Sequence, residues 1–565
     1  MALIDKASLL MVPSTYEAGK LYNVLPSGNR APDSTDQNSG YDQTRADFDF
    51  DRGSNAAATR IGSDGLIEKY RENKLLQSNA FDTTWVPQSG ITLTANQQGY
   101  DGTNDAWKFE KTASSYRNIR ISVSVSGVYT TSVYAKAGTL DLLTIRDGSN
   151  QYARFYLSTG TYTLSNSPVS GSMVSVGNGW YRCSVTMTTS NPTIQIYPDW
   201  NQTNAGYIYI QNAQLESGLV STDYLESTSV TGKAGVLVDL PRINYDANGE
   251  NGALLLEPSR QQLIQYSEYF GDSSWIKSSS VVVTSNASTS PEGVENAGLV
   301  EFPASTNRSL VYVVSGISSN TDYTFSLYIK KVSGTPSDTD LKMTIYGDVV
   351  SSVTNNIGSD ISGEWQRFDV TATTNGSASS LTIQLRSEVL QSMYIFAAQL
   401  EAGSYATSYI PNHGESGGVT RAADSCSVTG ASDVIGQTEG TIFVDLAGFD
   451  GNTHLVTLGD GTALNYLMLY ISSGAIAWLS NGGLNGSAGS VTATSKAALA
   501  YKGNDSALYL DGVQVLTNTS STIPSLPNVY LNNNATLTNV LKLETKQVTL
   551  FNERLSNAEL AALTA

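Results

Sequence analysis

The sequence predicts an all-β protein made of several β-sandwiches in tandem, and three observations carry that expectation. The palette belongs to strands and turns. Charged residues make up 15% of the chain, against roughly 25% in ordinary globular domains. Small polar residues, 49 Gly and 31 Tyr take their place, aromatic and β-branched side chains suiting strands and small polar ones suiting turns. The chain also repeats itself: YIQNAQLESG at 209–218 returns as YIFAAQLEAG at 394–403. Finally, where patterning is clearest, as in VYTTSVYA at 128–135, the alternation has a period of two and not 3.6.

At 565 residues, a prior of about 150 residues per domain gives three to five units. Residues 1–70 have no repeat partner. Asp33, Asp36, Asp42, Asp47, Asp49 and Asp51 lie there among Ser, Gly and Asn. So little apolar surface cannot offset the entropy of ordering, so the segment is expected to fold on a partner, either copies of itself or a larger particle. Residues 71–230 and 263–412 are the two copies. GWYRCSVTMT (179–188) returns as EWQRFDVTAT (364–373), VYTTSVYAKAG (128–138) as DYTFSLYIKKVSG (322–334), and LLQSNAFDTTW (75–85) as LIQYSEYFGDSSW (263–275). Short strands punctuated by DGSN (147–150), GNG (177–179) and TTNGSAS (373–379) predict a jelly-roll sandwich for each copy. Residues 231–262 read as a connector and 413–436 as a linker.

Residues 437–565 predict a third sandwich. EGTIFVDLAGF (439–449) is an alternating strand, and ALYLDGVQVLT (507–517) is a hairpin around Asp511-Gly512, a pair that favours a type I′ turn. Ser556 and Glu559 are spaced as a capping box, opening a short terminal helix with Leu560 and Leu563 on one face.

Net charge is −18 with 51 acidic against 33 basic residues. That surface repels phosphate backbones and argues against a nucleic-acid partner. Cys183 and Cys426 fall in different segments and read as small buried thiols, which points to folding in a reducing cytoplasm. The opening MALIDKASLLMVPSTYEAGK has no basic start and reads as no signal peptide. No apolar run of about 18 residues predicts membrane insertion.

Candidate chemistry is sparse. His413 and His454 read as exposed loop histidines, and no G-x-S-x-G elbow frames a nucleophile, so no catalytic residue is assigned. A glycosidase would need two carboxylates on either side of a bond, and no short-period solenoid repeat accompanies one. DFDFDRG (47–53) sets Asp47, Asp49 and Asp51 on one face of an extended strand. Such a row either faces solvent, pairs with Arg45, Arg52 or a basic partner, or takes Ca²⁺. YPDWNQTN (197–204) puts Tyr197 and Trp200 beside Asp199, Asn201 and Gln202. Rings next to amides and carboxylates suit a sugar, whose C–H face stacks on an aromatic plane, so Tyr197 and Trp200 are carbohydrate-binding candidates. Trp478 in AIAWLSNGG is a third, its facing left open by alternation alone. Trp85, Trp275, Trp180 and Trp365 recur in both copies and read as core anchors.

Several long stretches resemble tailed-bacteriophage head-spike and tail-fibre proteins. KASLLMVPSTYEAGKLYNVLP, FDFDRGSNAAATRIGSDGLIE, LPRINYDANGENGALLLEPSRQQLI and AAQLEAGSYATSYIPNHGESGGVTRAAD carry that resemblance over nearly all of residues 1–424. The two copies also resemble carbohydrate-binding-module jelly rolls. YLDGVQV and LFNERLSNAEL give residues 437–565 a likeness to the concanavalin A-like (laminin G) fold. The resemblance implies a homotrimeric fibre or spike on the virion surface, made in the host bacterial cytoplasm, attached to capsid or tail through residues 1–70 and adhering to host surface glycans without being an enzyme. A capsule-degrading tailspike and a purely architectural virion protein are the alternatives. Such jelly rolls often carry an acidic calcium ligand just before the final "LE"; here Asn212 and Ala397 stand in that region.

Overall fold

The computed structural model describes residues 3–13, 48–54, 57–112, 116–200, 204–238, 240–304, 306–538 and 541–565. The fold is all-β, and among the described residues the one α-helix is Asn557–Thr564. No helix among them is long and apolar enough to cross a membrane. The chain divides into two compact units. One is Lys69–Gly235 with Gln261–Val419; the other is Met1–Glu68 with Val236–Arg260 and Thr420–Ala565.

The first of these holds the two copies, each a sandwich of two antiparallel sheets. In copy one the first sheet runs Ser170–Gly177, Trp180–Ser190, Ser126–Ala137, Gly206–Ser217, Ala106–Lys111, Ile91–Gln97, and the second runs Thr161–Ser165, Tyr152–Tyr156, Leu142–Arg146, Thr193–Tyr197, Ile119–Ser122, Val86–Pro87. Copy two has five strands per sheet in the matching order. It lacks counterparts of Thr161–Ser165 and Ser170–Gly177, the edge strands of copy one. The sequence offset falls from 194 at Tyr134/Tyr328 to 185 at Trp180/Trp365, which locates the extra residues of copy one at this corner.

The repeated "AQLE" is a latch. The central strand of each copy carries Gln and Glu on the face away from the core, where the module's own tail covers them. Gln214 Nε2 donates to Glu216 Oε1 (2.6 Å), which also accepts from the Thr222 amide (2.8 Å), while the Leu225 amide donates to Gln214 Oε1 (2.7 Å). In copy two Gln399, Glu401, Thr407 and Ile410 make the same three bonds at 2.6, 2.8 and 2.7 Å. Ser78 with Tyr224 and Ser267 with Tyr409 add a matched hydroxyl pair, each 2.6 Å apart. Buried polar groups must find partners, so these side chains recur together. Both copies also bulge at one point of the central pairing, at Asn212 (φ 52°) and Ala397 (φ 55°). The position three residues before "LE" is therefore a backbone kink in each. Cys183 and Cys426 are buried and unpaired, as small apolar thiols.

The other unit is a sandwich of an eight-stranded and a seven-stranded sheet. Asp511 (φ 48°) and Gly512 (φ 82°) have the positive φ values of a type I′ turn, and Ser556 caps the terminal helix with Glu559. Two boundaries differ from the sequence expectation. Leu9–Met11 pairs with Leu543–Phe551, and Asp49–Asp51 pairs with Ser425–Val428, so described parts of residues 1–70 complete this sandwich. Ala253–Leu256, inside the expected connector, is an internal strand of the larger sheet, and Ser425–Val428 lies in the expected linker. The reason is apolar burial: Leu9, Met11, Leu254 and Leu256 are at most 1% exposed. The partner that the N-terminal segment needs is, for these residues, the same chain.

The same unit buries three arginines with two carboxylates. Arg242 bonds Glu257 (2.7 Å) and Asp424, Arg421 bonds Glu257 (2.8 Å), and Arg52 approaches Asp424 at 3.6 Å. Arg52 also donates to the Leu237 carbonyl at 2.7 Å. Burial pushes the Arg52 guanidinium down to about 10, against the pull of Asp424.

Candidate functional site

The second sheet of copy one presents an aromatic and basic outer face. Strand alternation decides its membership. Leu143, Ile145, Ala153, Phe155, Ile194 and Ile196 are fully buried in the core, so the intervening Thr144, Arg146, Tyr152, Arg154, Gln195 and Tyr197 share the opposite face. Register then gathers them: Gln195 lies opposite Arg120 on one side and Arg146 on the other, and Arg146 lies opposite Tyr152.

Trp200 lies three residues past the strand that carries Tyr197. Pro198 ends the strand, and Asp199 adopts φ 109°, an uncommon conformation for a residue with a Cβ. It is anchored by its carboxylate, which meets the buried ammonium of Lys111 at 3.2 Å. Burial raises the Asp199 carboxyl while Lys111 pulls it down. The Trp200 ring packs edge-on to Tyr197 (4.6 Å between centroids, 81°) and lies against Tyr116 (4.8 Å) and Tyr152 (6.0 Å). The Arg146 guanidinium is 5.4 Å from the Trp200 centroid, and that of Arg154 is 5.1 Å from the Tyr152 ring. Rings in contact hold one another in fixed orientation, and guanidinium groups favour their faces. Trp200 is half-buried and Tyr116 is 54% exposed, so the cluster is a shallow platform.

The three sugar candidates separate. Trp200 belongs to the platform. Tyr197 is 4% exposed, with its hydroxyl donating to Gln195 at 2.9 Å; it supports Trp200 from beneath. Trp478 is 1% exposed within the core of the third sandwich, so its face is not open for stacking and that assignment is corrected. Asn201 and Gln202 lie outside the described residues, as does Asp47. Asp49 and Asp51 point outward from an edge strand, and Asp51 accepts from the Gly53 amide at 2.7 Å. Among the described residues no group of three His, Cys, Asp or Glu is gathered to hold a metal. Tyr116, Tyr152, Arg146 and Arg154 escaped sequence reasoning, although Tyr-x-Arg-x-Tyr at 152–156 is the alternation of an aromatic strand face. Trp85, Trp180 and Trp275 are core residues, whereas Trp365 is half-buried. In copy one Tyr100 stacks on Tyr134 beside Trp180; Pro291 occupies the matching place in copy two.

A second gathering of ionisable groups lies in copy two. Lys69 Nζ meets Glu292 at 2.9 Å and Glu268 at 3.6 Å. Asn296 Nδ2 bridges the same two carboxylates at 3.0 and 3.1 Å, and the Tyr409 hydroxyl donates to Glu268 at 3.0 Å. Burial alone would lower the Lys69 ammonium, but the charges of Glu268 and Glu292 hold it above its ordinary value. Burial raises the Glu292 carboxyl despite Lys69. His413 was expected in an exposed loop. Its side chain is instead 11% exposed, 3.8 Å from Glu268, and burial with the Lys69 charge pushes it down to about 3. Burial and the Lys69 charge together outweigh the opposing pull of Glu292, which leaves the imidazole neutral.

No family model matches the chain, and no curated relative matches it. Solved structures resemble parts of it. A carbohydrate-binding module of a Ruminococcus gnavus sialidase is 20% identical, covering 24% of this chain and 87% of that one at a TM-score of 0.21. The tandem CBM22 domains of Paenibacillus barcinonensis Xyn10C are 13% identical over 62% of this chain and 99% of theirs, also at 0.21. The enzymatically active domain of bacteriophage CBA120 tailspike protein 4 is 13% identical over 25% of this chain and 21% of that one, at 0.21. Likenesses this distant assign no ligand to this chain.

Proposed function

We propose that this protein is a non-enzymatic fibre or spike of a phage virion, and that the platform of its first module holds host-surface saccharide. The observation that carries the sugar reading is Trp200 seated on Tyr197 with Tyr116 and Tyr152 beside it, an aromatic surface of the kind on which a sugar's C–H face packs. The virion reading is supported by the long motifs of residues 1–424. Homotrimerisation, attachment to other virion proteins through residues 1–70 and the sandwich they complete, and the concanavalin A-like character of that sandwich belong to the same proposal. Weak contacts repeated across a trimer gain by multivalency.

The test uses the full-length chain on immobilised host-surface polysaccharides, with Trp200→Ala as the perturbation. Retention lost in the variant at an unchanged melting temperature supports the platform. Equal retention by variant and parent removes it. Release of reducing ends from any bound polymer overturns the non-enzymatic reading. Labelled antibody that decorates no particle in electron micrographs overturns the virion one.

A further inference from the structure

We infer that the platform of the first module selects an acidic saccharide, one whose carboxylates are read by Arg120, Arg146 and Arg154. This deepens the platform reading and rests on it. The chain carries a net charge of −18, yet this one sheet face sets three arginines around its aromatic cluster. Among the described residues none of the three makes an ion pair. Arg146 bonds the neutral side chain of Asn150 and Arg154 bonds the Tyr152 hydroxyl at 3.3 Å. A guanidinium stacked on a ring keeps its edge free, and that planar edge matches a carboxylate in two parallel hydrogen bonds.

The second copy shows what the same scaffold looks like without this function. The strand motif TIQ recurs, and Gln384 takes the place of Gln195. In copy one the row across the sheet reads Arg120, Gln195, Arg146, Tyr152. In copy two it reads Val311, Gln384, Thr344, Thr354. Cations do occur on the second face, but Glu388 neutralises them: it accepts from Arg386 Nε at 2.7 Å and meets Lys342 at 3.4 Å. The residue in copy one at the place of Glu388 is Asp199, and its carboxylate turns inward to Lys111. Two other carboxylates lie nearby: Asp147 is 2% exposed and accepts from the amide and hydroxyl of Ser149, and Asp141, whose charge acts on Asp199, accepts from the Ser158 hydroxyl at 2.7 Å. Copy one thus withholds the counterion that copy two supplies, and an acidic ligand takes its role.

The test is retention of the full-length chain on paired polymers: polygalacturonate, alginate, hyaluronate and polysialic acid, each beside its methyl-esterified form, with neutral xylan and dextran alongside. At least one acidic polymer should bind, weaken several-fold between about 50 and 300 mM NaCl, and bind at least ten-fold less tightly once esterified. Arg146→Gln/Arg154→Gln should lose at least ten-fold toward that polymer at an unchanged melting temperature, while Lys342→Gln on the second face leaves retention intact. Binding to neutral polymers alone, or to acidic and esterified forms equally, or an unaltered affinity in the double variant, overturns the inference and leaves the platform standing. Silence toward every polymer, acidic and neutral, sinks the platform itself and this inference with it.

Discussion

Replacing Lys69 by Met isolates the cost of two buried carboxylates that share one cation. Met keeps the length of the stem and removes the ammonium, both its charge and the N–H donor that Glu292 accepts from. Glu268 and Glu292 are then left with Asn296 and Tyr409 as donors, which can satisfy hydrogen bonds but not two negative charges. Removing one partner of a buried ion pair costs about 3–5 kcal/mol, and here one ammonium serves both acids. The loss should also depend on pH with a definite sign. Glu292 already sits above its ordinary value because burial outweighs the pull of Lys69. Without Lys69 the Glu292 carboxyl moves further up, so the folded variant binds more protons than the unfolded chain, and its stability falls as pH rises through that raised value. The deficit should be smallest near pH 4 and complete near pH 7. Urea unfolding followed by amide hydrogen exchange in Ala297–Phe302 and Gln391–Ala402 separates this unit from the other. A deficit under about 1 kcal/mol at pH 7, or one of equal size at pH 4 and 7, would refute the reasoning.

Four further outcomes are expected. His413 titrates near 3 in the fold against 6.5 when unfolded, so below pH 6.5 the unfolded chain takes up a proton that the folded one refuses; stability should fall with a slope of up to about 1.4 kcal/mol per pH unit between pH 6.5 and 5, and His413→Gln should flatten it in urea titrations. Asp424→Asn leaves three buried arginines facing one carboxylate and should cost about 3–5 kcal/mol in thermal or urea unfolding of the third sandwich. Arg52→Met removes the most weakly paired of the three charges and should cost less than Asp424→Asn in that assay. Trp478→Ala should cost about 3–5 kcal/mol through the cavity it leaves, read by the same melt, while retention on polysaccharide at low temperature stays that of the parent.

The duplication was legible because it is written in strings: a latch of Gln and Glu with its tail of Thr and Tyr recurs with constant spacing within each copy. The completion of the third sandwich was not. Leu9–Met11 and Ala253–Leu256 are short apolar runs whose partner, Leu543–Phe551, lies about 290 residues or more downstream of both, and nothing local distinguishes such a run from a piece of connector. Trp478 failed for a related reason, since alternation gives the period of a strand and not which face is inside. At the platform, Tyr197 and Trp200 were visible as neighbours in sequence. Tyr116, Tyr152, Arg146 and Arg154 are brought to them by strand register, and the turn that places Trp200 depends on Lys111, 88 positions away from Asp199.

The two copies diverge at the outer face of one and at a buried charge cluster of the other. Both keep the latch, the bulge and the serine–tyrosine pair. Beneath that shared frame, Asn79 donates to Asp105 at 3.2 Å in copy one, and in copy two Asn296 donates to Glu268 at 3.1 Å. Amide and carboxylate have exchanged places while the bond survives. In copy one the Gln211 amide closes this cluster by donating to Asp105 at 2.6 Å. Phe396 stands at that position in copy two and cannot donate, and there the ammonium of Lys69 neutralises the acids instead. Lys69 precedes copy one in the chain, so copy two, which lacks its own donor at this point, receives one from the segment leading into its twin. The copy that holds Lys69 is the one whose outer face lacks the aromatic and arginine row, while the copy with a self-contained cluster displays the platform. One duplicated frame thus carries an aromatic and arginine face in the first copy and a buried charge cluster in the second.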